Sequence, residues 1–208
     1  MKKLSIFISG GGSNFRAIKA AIDQDQIAGE IVLVVASKRD CPGAEYARSI
    51  GLPVSIFPEE GISEADLLQQ LQDSGTDFII LAGYIKLIPE EIVGAYRQRM
   101  LNIHPALLPA FGGKGFYGKK IHQGVLDRGA KITGVTVHFV DEFYDHGPII
   151  AQAPVAVRQG DTADILASRV LEMEHRLYPR VVGAICRGDL VWDGEIPFLD
   201  PPLSMENE

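Results

Sequence analysis

The stretch Leu4-Ser5-Ile6-Phe7-Ile8-Ser9-Gly10-Gly11-Gly12-Ser13-Asn14 decides the fold. An apolar run of strand length ends in three glycines, and Ser13 and Asn14 then offer caps to a helix-like segment over residues 14–24. Further strand-like runs follow at 31–36, 54–57 and 78–82. Helix-like stretches at 43–50 and 63–73 separate them, the second with Ser63 as N-cap and Asp66 in its first turn. Such alternation predicts βαβ units with right-handed crossovers. The near-continuous apolar strands predict a parallel sheet covered on both faces.

The second half changes character. A strand is expected at 100–103, then a loop over 110–120 rich in glycine (Gly112, Gly113, Gly115, Gly118) and a short helix at 121–127. Residues 132–140 and 149–157 read as an antiparallel pair joined across 141–147. A long helix over about 162–187 follows, capped by Asp161 or Thr162, with Pro179 expected to kink it. The fold class is therefore a single three-layer α/β domain. Its mostly parallel twisted sheet is Rossmann-like in the N-terminal half and carries an antiparallel strand pair near the C-terminus. The domain spans residues 1–190, and 191–208, with Pro197, Pro201 and Pro202, reads as an extended tail.

Composition narrows the function. At 208 residues, 46% hydrophobic and 23% charged, the chain fits one globular domain. A net charge of −7 argues against a nucleic-acid partner, because phosphate backbones need a clustered positive field. Cys41 and Cys186 are isolated, and His122, His138 and His175 lack ligand spacing, so no metal is expected. The apolar run after Met1-Lys2-Lys3 stops too early for a signal peptide, and no run reaches membrane-spanning length. A cytoplasmic protein with small-molecule substrates, monomeric or homodimeric, is expected.

Asn102-Ile103-His104-Pro105 is the strongest catalytic candidate. Residues i and i+2 of an extended segment share a side, so an amide and an imidazole converge, and proline holds His104 extended. An amide donor beside a histidine suits a carbonyl oxygen that gains charge while a proton moves. The loop 141–148 supplies Asp141, Glu142 and Asp145 as possible partners for the imidazole, and the residues alone do not choose among them. His138 is expected behind the site rather than in it. The Gly10–Gly12 turn is neither G-x-G-x-x-G nor a P-loop, but glycines before a helix N-terminus suit a phosphate monoester. Glu174 and His175 lie mid-helix, where a charged pair usually faces solvent. Lys114, Lys119 and Lys120 could meet an anionic ligand. No G-x-S-x-G elbow is present.

Four segments carry a resemblance: Gly-Gly-Gly-Ser-Asn after the first strand, Leu-Ala-Gly-Tyr-Ile-Lys at 81–86, Asn-Ile-His-Pro-Ala-Leu-Leu-Pro at 102–109, and Val-His-Phe-Val-Asp-Glu-Phe-Tyr-Asp-His-Gly-Pro at 137–148. In this order and spacing, from Leu4 to about Gly188, the chain resembles the phosphoribosylglycinamide formyltransferases of the folate-dependent formyltransferase superfamily. The resemblance implies a cytoplasmic transferase of purine biosynthesis and one-carbon metabolism, with residues 1–190 as catalytic domain and 10-formyltetrahydrofolate as co-substrate. It implies Asn102, His104 and Asp145 as catalytic residues, and Gly12, Ser13, Asn14 and Glu174 as contacts to phosphoribosylglycinamide. Ile85, Lys86, Leu87, Ile88 and Asn102, with Asp141, Glu142, Phe143, Tyr144 and Asp145, would then hold the folate.

The chain departs from that pattern at three places. Leu171 stands where the family often has a polar or basic residue, 58–64 lacks an arginine that some members have there, and the loop from Phe111 to Gly118 is longer than in many. Lys114 or Lys119 is expected to replace a lost anion contact. Three other readings compete. A methionyl-tRNA formyltransferase would normally carry a further nucleic-acid-binding domain, and a formyltetrahydrofolate deformylase would have no obvious use for the phosphate turn. A non-catalytic nucleotide-binding protein would keep that turn alone.

Overall fold

A computed structural model of the chain describes residues 1–59 and 61–203. Five strands are parallel: β1 (Lys2–Ile8), β2 (Gly29–Ala36), β3 (Val54–Ile56), β4 (Phe78–Leu81) and β5 (Met100–His104). The helices α1 (Ser13–Asp23), α2 (Pro42–Ser49), α3 (Glu64–Asp73) and α4 (Glu90–Ala95) alternate with them. After α5 (Lys119–Asp127), β6 (Ile132–Phe139) and β7 (Ile149–Ala156) complete a seven-stranded sheet as antiparallel neighbours, in the order β3-β2-β1-β4-β5-β6-β7. The chain order reverses between β1 and β4, which opens a crevice at their carboxyl ends.

Alternation along the strands builds two cores. In β1, Leu4, Ile6 and Ile8 join the layer of α1 and α6 (Ala163–Arg187), whereas Phe7 joins the layer of α3 and α4. The second layer is anchored by Leu67 and Leu71, both fully buried, each contributing roughly 1.5–3 kcal/mol of apolar burial. Ser63 and Asp66 form a reciprocal capping box at the start of α3, and Thr162 accepts from the Ile165 N–H at the start of α6. Asp161, the other cap candidate, instead grips Arg169 with both carboxylate oxygens at 2.8 Å.

Helix α6 runs on through Pro179, which is buried within it. Two features differ from expectation. Helix α4 follows Pro89 over a segment too short to show periodicity. Residues 190–199 are not an extended tail but a hairpin, β8 (Leu190–Asp193) and β9 (Ile196–Leu199). The reason is the two-residue turn Gly194-Glu195, with Gly194 at φ 60°, and the stacking of Trp192 on Phe139 at 5.2 Å. Pro197 is tolerated because a two-stranded hairpin has unpaired edges. Residues 204–208 of the expected tail lie outside the described residues. No helix is long and apolar enough to cross a membrane among the described residues.

Close backbone approach makes one glycine indispensable and another expendable. A Cβ on Gly134 in β6 would sit 2.2 Å from the carbonyl oxygen of Ala153 in β7, whereas one on Gly94 in α4 meets nothing within 4 Å. Urea unfolding is expected to show Gly134→Ala losing about 1–3 kcal/mol or more. Gly94→Ala should gain up to about 1 kcal/mol, from reduced chain entropy alone.

Candidate active site

The antiparallel register sets Asn102 opposite His138 and His104 opposite Thr136, so four polar side chains share one face of β5 and β6. Leu101 and Ile103 turn the other way, into the core with α6. Thr136 fastens the exit of β5: its hydroxyl donates to Ala106 O at 2.7 Å and accepts from the Leu108 N–H at 3.0 Å. The buried ring of His138 donates from Nδ1 to Phe139 O at 2.7 Å, so its Nε2 accepts from Asn102 Nδ2 at 3.1 Å. Burial lowers the pKa of His138, which suits this neutral ring. The Asn102 amide is thereby oriented by a buried histidine whose other nitrogen is fixed on the backbone.

Asp145 comes in from the loop between β6 and β7. Gly147 lets that loop return tightly, since a Cβ there would sit 2.1 Å from Phe139 O. Asp145 itself takes left-handed backbone at φ 54°. Its Oδ2 accepts from the Gly113 N–H at 2.9 Å and lies 3.4 Å from His104 Nδ1, while Oδ1 accepts weakly from Asn102 Nδ2 at 3.4 Å. Burial works to raise the Asp145 pKa. The bond and charge of His104, the Gly113 N–H and His138 outweigh it, and the carboxyl stays ionised below its usual range. His104 Nε2 donates to Phe111 O at 2.9 Å. Asp141, by contrast, turns away to pair with His146 at 2.6 Å.

Across the cleft, α1 begins at Gly12 in left-handed backbone (φ 69°), with no side-chain cap and no acid in its first turn. Its first N–H groups are thus unclaimed by a cap and suit an anion. Gly43 packs against this turn; a Cβ there would meet Ile8 Cδ1 at 2.7 Å and Gly10 O at 3.0 Å. Asn14 donates to Glu174 Oε2 at 2.5 Å, and its own Oδ1 is buried without a partner. Burial pushes the Glu174 carboxyl up to about 7, against the Asn14 bond and the charge of His104.

One cleft of about 630 Å³ unites these groups: Asn14, Asn102, His104, His138, Asp145 and Glu174 all line it. Its rim includes Ile85, Lys86, Leu87 and Ile88 on one side, and Asp141, Phe143 and Tyr144 on the other. Gly12 and Ser13 stand beside Asn14 at the head of α1 rather than in the lining. Glu142 is not brought in; it lines a separate cleft next to the β8–β9 hairpin. Glu174, expected on a solvated helix face by its residue type, is buried instead. Lys114 lines the cleft, but Lys119 pairs with Asp164 outside it, and Leu171 is exposed.

Residues missed beforehand are Tyr84, Pro105 and the wall from Gly113 to Gly118 with Phe116 and Tyr117. The glycine content of 112–118 was the available signal: a Cβ on Gly112 would lie 3.2 Å from Asp145 Cβ and 2.5 Å from Leu108 Cδ2. Among the described residues no group of three or more His, Cys, Asp or Glu is placed to hold a metal ion.

The chain matches the formyl transferase family over residues 2–182. It is 54% identical over 197 residues to a chloroplastic phosphoribosylglycinamide formyltransferase of Arabidopsis thaliana, covering 92% of this chain and 68% of the plant protein. A phosphoribosylglycinamide formyltransferase of Bacillus subtilis (strain 168) is 36% identical, with 88% and 93% covered. Among solved structures, glycinamide ribonucleotide transformylase 1 from Symbiobacterium toebii superposes with a TM-score of 0.86 at 37% identity, covering 96% of this chain and 94% of that one.

Glu174 makes a pH signature. Its folded pKa of about 7 lies above the ordinary 4.5, so its contribution to stability is full below about 4.5 and is lost as pH rises through 7. Glu174→Gln keeps an acceptor for Asn14 and removes the titration. Unfolding measured from pH 4 to 8 should show the variant matching the parent at low pH. It should overtake the parent by on the order of 3 kcal/mol by pH 8.

Proposed function

The chain belongs to the formyl transferase family, and from that premise we propose that it moves the formyl group of 10-formyltetrahydrofolate to the amine of 5-phosphoribosylglycinamide. The observation that carries the proposal is the convergence of Asn102, His104 and Asp145 on one side of a cleft whose far side holds Asn14 and Glu174. Two substrates need two ends. The uncapped N-terminus of α1 suits the phosphate of the ribonucleotide, and the Asn14–Glu174 pair suits its neighbouring polar groups. The apolar rim of Ile85, Leu87, Ile88, Phe143 and Tyr144 suits a flat pterin.

In this reading the amine attacks the formyl carbon, and the carbonyl oxygen becomes an oxyanion. Asn102 turns its weakly held amide hydrogen from Asp145 toward that oxygen, and the His104 Nε2–H leaves Phe111 O to supply the second donor. Asp145 holds the imidazole and the Gly113 N–H in place, and helps pass the amine proton to the departing folate nitrogen as the old carbon–nitrogen bond breaks. The formyl group stays on the new nitrogen, and no covalent enzyme intermediate is required. Hydrolysis of the same formyl donor would use the trio but leave the Asn14–Glu174 end without work, which favours transfer.

The test is formyl transfer followed by mass spectrometry of the ribonucleotide, with formate release measured in parallel. Product formation that requires the amine supports transfer; formate release without it would establish the deformylase reading. Asn102→Ala, His104→Ala and Asp145→Asn are each expected to lower kcat by about a hundred- to a thousand-fold. Circular dichroism should show the three variants folded.

A further inference from the structure

On the outer side of the helices that hold Asn14 and Glu174 lies a second groove, of about 450 Å³, between α1 and α6. Its wall carries Arg176, Arg180 and Arg187, and no carboxylate among the described residues lines it. In a chain of net charge −7, that is a local reversal of sign. Arg176 makes no ion pair or hydrogen bond among the described residues. Arg187 spends Nε and Nη2 on Asp189, its Nη1 lies beside Gly183 with no partner among the described residues, and Arg180 has a partner of its own. His175, next in sequence to Glu174, also lines the groove, and its Nε2 is buried with no hydrogen-bond partner. Ala17, Ala21 and Pro179 give the rest of the wall a flat apolar surface.

We propose that this groove is an anion site separate from the active-site cleft, taking a small phosphomonoester whose phosphate engages the Arg176 guanidinium and the Nη1 of Arg187, with His175 packed behind it. Guanidinium forks match phosphate oxygens in pairs, and the volume falls in the range of small-ligand sites. The alanine surface accommodates a flat apolar group attached to the phosphate. The site does not depend on the chemistry proposed for the cleft, because binding is read without turnover.

Isothermal titration of the full chain with adenosine monophosphate, and with adenosine as a control lacking phosphate, tests the proposal. Two double variants disarm the groove, Arg176→Glu with Arg187→Glu and, as a milder form, Arg176→Gln with Arg187→Gln. Ser13→Asp closes the phosphate end of the cleft instead. The nucleotide, but not adenosine, should bind the parent and the Ser13→Asp variant, and at least tenfold more weakly the charge-reversed double variant. The glutamine pair should weaken binding in the same direction and leave formyl transfer in the absence of added nucleotide unchanged. No binding by the parent, undiminished binding by both arginine double variants, or loss of binding in Ser13→Asp alone would overturn the assignment.

Discussion

Everything in the cleft depends on the antiparallel pairing of β5 with β6. Had β6 continued the parallel pattern of β1 to β5, its side chains would have met those of β5 in a different register. The pairing places Asn102 against His138 and His104 against Thr136. Two neighbours with opposite hydrogen-bonding needs then settle the orientation of Asn102: His138, forced by Phe139 O to present a lone pair, and Asp145, an acceptor by charge. A one-residue slip of β6 would turn His138 and Thr136 into the apolar layer of α6, away from Asn102 and His104.

The loop that delivers Asp145 is held under local strain. Left-handed backbone costs a non-glycine residue roughly 1–2 kcal/mol, and Asp145 accepts it at φ 54°. Two glycines make the geometry possible, Gly147 against Phe139 O and Gly112 against Asp145 Cβ. What holds it is the set of donors aimed at the carboxylate, from Gly113, Asn102 and His104, which also keep it ionised. Helix α6 plays the matching role on the other side. The Tyr178 hydroxyl reaches Leu81 O at 3.0 Å and Leu101 O at 3.1 Å, tying the helix to β4 and β5, with Glu174 one turn earlier facing Asn14.

Much of this was legible in the sequence. The βαβ alternation, the glycine turn before α1, the Ser63 cap and the antiparallel pair across 141–147 follow from periodicity and turn chemistry, both local properties. The convergence of Asn102 and His104 follows from the two-residue period of a strand. Local chemistry failed at α4, too short to show a period, and at the β8–β9 hairpin, where the turn at Gly194 was outweighed by nearby prolines.

The sequence by itself determined the layers, the strand order within each βαβ unit and the residue types available for catalysis, because these rest on contacts between near neighbours. Resemblance apart, only the tertiary structure set Asp145, rather than Asp141 or Glu142, beside His104: two aspartates and a glutamate on one curved loop are sorted by where that loop carries them. Only it buried Glu174 and raised its carboxyl to about 7, since burial comes from α1, which is 160 residues away in the chain. It also closed the 112–118 loop onto Asp145, a contact fixed by the space between two loops and invisible in either one.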